Sequence, residues 1–209
     1  MAEQEVTIRV AAAGDARGMA HIDSQSWPPA LATSAAEFLA RIRVYPKGQL
    51  VAESNSQIVG AASAQRITEE FLGANDHQYD LVTDGNRFTN SHHPTGEIYQ
   101  LIGVSVLPEL RGRRLGRELV DHQIEFARSL SEIRRILGFT RPKEYHRHRQ
   151  IPIERYVHEC DSDRKLLDPV LAFHVEAGAR IVSLHADFRP NDHEACGYGV
   201  LIEYSCPFN

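Results

Sequence analysis

Strand-like and helix-like patterns alternate along this sequence, and together they predict an α/β (α+β) protein with a central sheet of about six to seven strands flanked by helices. Two further observations support that class. The segment EIYQLIGVSVLP (97–108) is apolar on both faces, as a strand covered on both sides must be, so it is expected at the centre of the sheet. A chain of 209 residues is long enough for one well-buried core and too short for two comfortable domains, so a single domain over 1–209 is expected.

The elements follow in order. VTIRVA (6–11) alternates β-branched and polar residues and reads as the first strand. A helix is expected to start at Asp15, with Ala16, Met19 and Ile22 along one side. SAAEFLARIRVY (34–45) is a second helix, in which Ser34 and Glu37 have capping-box spacing. GQLVAES (48–54) and QIVGAASAQRI (57–67) form a hairpin about Asn55 and Ser56. Residues 68–95 are polar, lack periodicity and carry the turn motifs GAND, TDGN and NSHHPTG, so a long functional or mobile insert is expected, with His92 and His93 in solvent.

After the central strand comes an amphipathic helix with Leu115, Leu119, Val120, Ile124, Ala127 and Leu130 on one side. RRILGFT (134–140) is the next strand, and residues 141–165 make a second long insert rich in His and Arg. LDPVLAFHVEAGA (167–179) is a helix closed by Gly178, and RIVSLHADF (180–188) and YGVLIEYS (198–205) complete the sheet.

A net charge of −5 argues against general nucleic-acid binding, which requires a basic face or tail. No apolar run approaches the roughly 20 residues that span a bilayer, and MAEQEVTIRV lacks the plan of a signal peptide. Cys160, Cys196 and Cys206 are an odd, widely spaced set, expected as free thiols in a reducing cytoplasm. His146, His148, His158 and Cys160 lack the paired spacing of a closed zinc site, so no metal is expected, and the second insert reads as a surface segment contacting substrate or a partner.

Against that acidic background, LPELRGRRLGREL (107–119) gathers Arg111, Arg113, Arg114 and Arg117. Strand, glycine-containing basic loop and helix form an arrangement that binds phosphate: the first N–H groups of the helix lack partners, and its dipole adds positive charge. Gly112 and Gly116 permit close approach, and Arg111, Arg113 and Arg117 can add charge-assisted hydrogen bonds. No lysine and hydroxyl follow Gly116, as a Walker loop requires, and the dinucleotide fingerprint G-x-G-x-x-G is absent. A solvated basic helix start is the competing reading.

The stretch VSVLPELRGRRLGRELVDHQIEFA (104–127) resembles the acyl-CoA-binding motif of the GNAT acyltransferase superfamily, whose R-x-x-G-x-G/A loop wraps the coenzyme A pyrophosphate. The resemblance implies a mixed sheet in which the fourth and fifth strands splay, with the inserts at 68–95 and 141–165 added to it. It also implies that Val104, Ser105, Val106, Arg111, Gly112, Arg113, Arg114, Leu115, Gly116 and Arg117 hold acetyl-CoA or another acyl-CoA. One departure is Arg114, which stands where the first motif glycine would be.

Relatives often carry a carboxylate on the fourth strand as a base; here the mid-strand polar residues are Tyr99 and Gln100, with Glu97 only at its start, and Tyr99 is a candidate substrate contact. Where relatives read F-Y-x-x-x-G, this chain has Phe173, His174 and Gly178, so histidine replaces the proton-donating tyrosine. A histidine there is either an acid–base group or a hydrogen-bonded packing residue.

GFTRP (138–142), DPVLAFHVEAGA (168–179) and DFRPND…GYGVLIEY (187–204) resemble GNAT-like domains that load acyl groups in polyketide assembly lines, and related stand-alone bacterial proteins. That likeness implies catalytic positions at Thr140 and His174, a supporting or carboxylate-binding position at Arg189, and Trp27 lining the acyl pocket.

The expected function is transfer of an acetyl or short acyl group from coenzyme A, by default to a small-molecule amine. The alternative is a malonyl-CoA decarboxylase and S-acyltransferase loading a carrier-protein thiol, and a further one is a catalytically silent CoA-binding module. Neither nucleic acid nor membrane is expected as a partner, and the oligomeric state is open.

Overall fold

The structure, a computed structural model, describes residues 6–74 and 77–206. Its strands are β1 (Thr7–Val10), β2 (Gln49–Ser54), β3 (Gln57–Ile67), β4 (Ile98–Val106), β5 (Arg135–Thr140), β6 (Ala179–His185) and β7 (Gly199–Tyr204). They form one mixed sheet in the order β1-β2-β3-β4-β5-β7-β6, in which β4 and β5 pair in parallel and the other neighbours are antiparallel. The helices are α1 (Ala16–Ser26), α2 (Ala35–Val44), α3 (Glu69–Ala74), α4 (Tyr79–Thr83), α5 (Leu115–Ser129), α6 (Ile153–Tyr156) and α7 (Pro169–Glu176).

Local chemistry explains the boundaries. Ser34 Oγ accepts from the Glu37 N–H at 3.3 Å while the Glu37 carboxylate accepts from the Ser34 N–H at 2.6 Å, the predicted capping box of α2. Asn55 and Ser56 both have positive φ (51° and 61°), which matches the twist of the β2–β3 hairpin. Asp15 precedes α1 as expected, but its carboxylate caps nothing inside the helix; it accepts from the Ala12 N–H at 2.7 Å and pairs with Arg9 at 2.6 Å.

Alternation along β2 and β3 gives the sheet two buried faces. Val51 and Ala61 pack beneath Met19, Phe38 and Ile42 of α1 and α2. Leu50, Ala52 and Ala62 face the other way, onto Leu115 and Leu119 of α5. Burying both faces is what a strand pair without hydrophobic-polar alternation requires.

Both inserts are more structured than their composition predicts. Residues 68–95 hold α3 and α4, and Phe88 is fully buried; the Asn75–Asp76 half of the GAND turn lies outside the described residues. In residues 141–165, Tyr145, Ile153, Tyr156 and Val157 join the main core. Asp168 locks this second insert to α7: one oxygen accepts from the Val170 and Leu171 N–H groups, and the other from the Glu144 N–H at 2.8 Å and the Tyr156 hydroxyl at 3.2 Å. The insert is therefore a wall of the core that fixes where α7 stands.

Candidate active site

β4 and β5 pair only from Ile98↔Arg135 to Leu101↔Gly138. Beyond that point β4 runs on to Val106 and β5 to Thr140, so the strands diverge and leave a wedge. Gly138 suits the last pairing step, since a Cβ there would stand 3.1 Å from the Leu101 carbonyl oxygen. From Gly103 to Val106 only β3 covers β4, so alternate backbone N–H and C=O groups of β4 face the wedge, ready to pair with an extended ligand. The wedge opens into a cavity of about 830 Å³ whose walls include Val104, Ser105, Val106, Thr140, His174 and Trp27.

The basic loop forms the mouth of this cavity. Gly112 (φ 78°) and Arg114 (φ 65°) are both left-handed, a conformation that costs a non-glycine residue and marks position 114 as one where glycine is the relaxed choice. Among the described residues the N–H groups of Leu115, Gly116 and Arg117, in the first turn of α5, have no partner. Arg111 and Arg114 line the cavity with Gly112, Leu115 and Gly116, whereas Arg113 is exposed and off the wall. Arg117 is on the wall, but it pairs with Asp121 at 2.8 Å and donates to the Glu176 carbonyl at 2.7 Å. Arg111 reaches the Gln25 carbonyl and Ser26 Oγ at 3.4 Å, Arg114 has no side-chain partner among the described residues, and Arg117 joins α5 to the end of α7.

At the other end of the wedge, His174 Nδ1 lies 2.7 Å from the Tyr204 hydroxyl. Burial holds the imidazole at a pKa of about 4, so the ring is neutral near pH 7. The Tyr204 hydroxyl meets no other partner among the described residues; in the tautomer in which it donates to Nδ1, the ring proton sits on Nε2. Thr140 ends β5 on the same cavity, 6% exposed, and its hydroxyl has no partner among the described residues. A neutral N–H donor and a free hydroxyl on one wall suit an oxygen that gains negative charge.

Trp27 lines the cavity beyond this point and is held by a relay that the sequence did not reveal. Its Nε1 donates to Ser105 Oγ at 3.1 Å, and Ser105 donates to Asp23 Oδ1 at 2.7 Å. The second Asp23 oxygen accepts from the Thr33 N–H at 2.7 Å. Two guanidinium groups flank Trp27. Arg141 and Arg189 stand 5.2 Å and 5.4 Å from its ring, and Arg41 also lines the cavity. Arg141 is paired with Asp192 and with Glu194 at 2.8 Å, while Arg189 lies 3.9 Å over the Tyr79 ring and donates to the Leu31 carbonyl at 2.7 Å. The available signal for Asp23 and Arg41 was a charged residue inside the apolar spacing of a helix, at α1 and α2 respectively.

Other expectations are corrected. Tyr99 is fully buried away from the cavity, with its hydroxyl on Gln123 and its ring against Tyr45 and Phe126, so it contacts the core and not a substrate. His92 is half-buried, stacked on Tyr45 at 4.5 Å and accepting from the Arg66 N–H; His93 is exposed as expected. His146 bonds to the Lys143 and Glu194 carbonyls, and His148 stacks on Tyr156. The described residues contain no cluster of three or more His, Cys, Asp or Glu able to hold a metal ion, and no helix long and apolar enough to cross a membrane.

Comparison with known proteins gives this geometry a context. The sequence model of the Acetyltransferase (GNAT) family matches residues 16–149. The Bacillus subtilis protein YkwB, described as an uncharacterized N-acetyltransferase, is 28% identical over 98% of this chain and 91% of its own length. Among solved structures, the loading GNATL domain of CurA from Lyngbya majuscula superposes with a TM-score of 0.87 at 29% identity, over 96% of this chain and 98% of that one. The GphF GNAT-like decarboxylase in complex with isobutyryl-CoA gives a TM-score of 0.82 at 30% identity, over 95% and 98%.

Proposed function

The chain belongs to the GNAT acetyltransferase family, and from that premise we propose that it takes a malonyl-type acyl-CoA, releases CO2 from it and passes the resulting acyl group to a thiol. The observation that carries this reading is the wall formed by His174, fixed through Tyr204, and Thr140. The coenzyme A diphosphate sits on the first-turn N–H groups of α5 with Arg111 and Arg114, and the pantetheine arm pairs with the uncovered edge of β4.

Decarboxylation breaks the bond between the acyl α-carbon and the carboxylate. Its electron pair moves into the thioester, and the oxygen becomes an enolate. Thr140 Oγ1–H and His174 Nε2–H donate to that oxygen, and the α-carbon takes its proton from water. In the transfer step an acceptor thiolate attacks the thioester carbonyl and the coenzyme A thiolate departs. The lowered pKa is compatible with this assignment, because a neutral imidazole still has one N–H to donate to a forming enolate. The likeness to a loading domain and a decarboxylase at 29% and 30% identity supports it.

An amine acceptor is the second reading, favoured by the buried carboxylate of Asp23 on the cavity wall. Mass spectrometry after incubation with malonyl-CoA and either an acceptor thiol or an amine separates the two. The proposal expects acetyl-CoA and an S-acetyl product; unchanged malonyl-CoA alongside N-acetylation from acetyl-CoA would overturn it.

A further inference from the structure

Arg41 is a cation without an anion. It is 2% exposed, on α2, and reaches the cavity wall. Its Nε donates to the Asn86 carbonyl at 2.7 Å and its Nη2 to Asn86 Oδ1, both neutral acceptors. The Phe88 and Phe38 rings lie 4.6 Å and 5.3 Å from its Cζ. Among the described residues no carboxylate pairs with it, and its Nη1 has no hydrogen-bond partner.

Arg189 is in the same condition, resting on ring faces and the Leu31 carbonyl. Tyr79 joins the two, since its hydroxyl donates to the same Asn86 Oδ1 at 2.7 Å and its face carries Arg189. Of the ions around Trp27, Arg141 and Asp23 have partners, although Arg141 Nε has none; among the described residues Lys143, Arg111 and Arg114 also line the cavity without a carboxylate. Arg141 is matched by Asp192 and Glu194, and Asp23 is occupied by Ser105 and the Thr33 N–H.

A buried guanidinium is disfavoured unless an anion or strong acceptors meet it, and ring faces supply only part of what water gave. Asn86 holds one edge of Arg41 rigid, which leaves the Nη1 side preset for a planar, bidentate acceptor. We propose that Arg41 selects acyl chains ending in a carboxylate, adding a second guanidinium to the position that the family likeness already implies for Arg189. This rests on the acyl-CoA reading given above.

The charge logic also says which kinetic constant Arg41 governs. When CO2 leaves, negative charge moves from the carboxylate to the thioester oxygen, away from the guanidinium. The ion pair is therefore stronger with bound substrate than in the transition state, so Arg41 sets substrate binding and does not accelerate the chemical step.

The test compares malonyl-CoA with its uncharged carboxamide analogue, malonamyl-CoA, on the wild-type protein, Arg41→Met and Arg41→Lys, each checked for folding by circular dichroism. In Arg41→Met the KM for malonyl-CoA is expected to rise about tenfold or more with kcat undiminished, while the inhibition constant of malonamyl-CoA stays within about twofold. Arg41→Lys, which keeps the charge, should recover part of that loss. A guanidinium that only anchors Asn86 would weaken both ligands alike, and that result, or an unchanged malonyl-CoA KM, overturns the proposal. If the wild-type protein releases no CO2, calorimetry of the same two ligands still decides. A preference for the charged ligand that Arg41→Met abolishes keeps the carboxylate site and removes the decarboxylation reading; no such preference in the wild type removes Arg41 from the role.

Discussion

The Tyr204 hydroxyl lies 2.7 Å from His174 Nδ1 and holds the ring in place. A residue of β7 thus contacts the ring of a side chain on α7, and where its hydroxyl donates to Nδ1 the ring proton is left on Nε2. Tyr204→Phe keeps the ring and removes the contact, and the imidazole can then carry its proton on either nitrogen. A stability loss of about 1 kcal/mol is expected from the lost hydrogen bond. Turnover should fall further than that loss explains, by roughly tenfold with KM unchanged, because only one tautomer donates to the reacting oxygen. Urea denaturation and steady-state kinetics on the same preparation check both.

Stability should decline as the solution is acidified through the histidine range. Burial lowers the pKa of both His92 and His174 to about 4 and also lowers that of His185. The unfolded chain binds protons at these rings from about pH 6.5 downward, whereas folded His92 and His174 do not until about pH 4, and folded His185 also protonates later than its unfolded ring. Their stabilising contribution is therefore complete above about pH 6.5 and is lost as pH falls toward 4. Urea midpoints measured across that window should drop, and His92→Gln, which removes one of these titrations, should flatten the profile.

How far the sequence disclosed the site depended on whether the signal was local. The α5 stripe of Leu115, Leu119, Val120, Ile124 and Ala127, all buried, was legible because helical spacing is written in consecutive residues. The Asn55–Ser56 turn and the Ser34–Glu37 box were legible for the same reason. Tyr204 as the partner of His174, Asp23 beneath Trp27, and Arg41 beside Tyr79 join segments far apart in the chain, and no local pattern encodes such pairs. Tyr99 and His92 misled because a polar tip on an aromatic ring reads as surface chemistry, yet Gln123 and the Arg66 N–H satisfy those tips inside the core.

Replacing Arg114 by glycine should move stability and affinity in opposite directions. Its φ of 65° costs a residue with a Cβ about 1 kcal/mol, which glycine relieves, less the extra freedom glycine gives the unfolded chain. Thermal unfolding should rise by about 1–3 °C for a chain of this size. Coenzyme A should bind up to about tenfold more weakly, since a guanidinium is lost from the mouth of the cavity. Calorimetry showing tighter binding would mean that close backbone approach outweighs the charge at this position.

Thr140 and His174 can be told apart from packing residues by asking which of two reactions each one slows. Both proposed steps place negative charge on the thioester oxygen, but only decarboxylation yields an enolate that must persist until its carbon is reprotonated. In the transfer step the tetrahedral oxyanion collapses at once, and N–H groups on the uncovered edge of β4 are available to it. Thr140→Val preserves shape and deletes a hydroxyl that has no partner among the described residues, so the folded protein should lose little stability. It should slow acetyl-CoA formation from malonyl-CoA by about 10–10² and acetyl transfer to a thiol by much less. His174→Gln should cost about 10²–10⁴ in decarboxylation, the range for a positioned acid–base group. If both donors serve one oxygen, the double variant should lose less than the product of the two single losses. Small and equal effects on both reactions would assign the two residues to packing and return the site to an acyltransferase without a decarboxylation step.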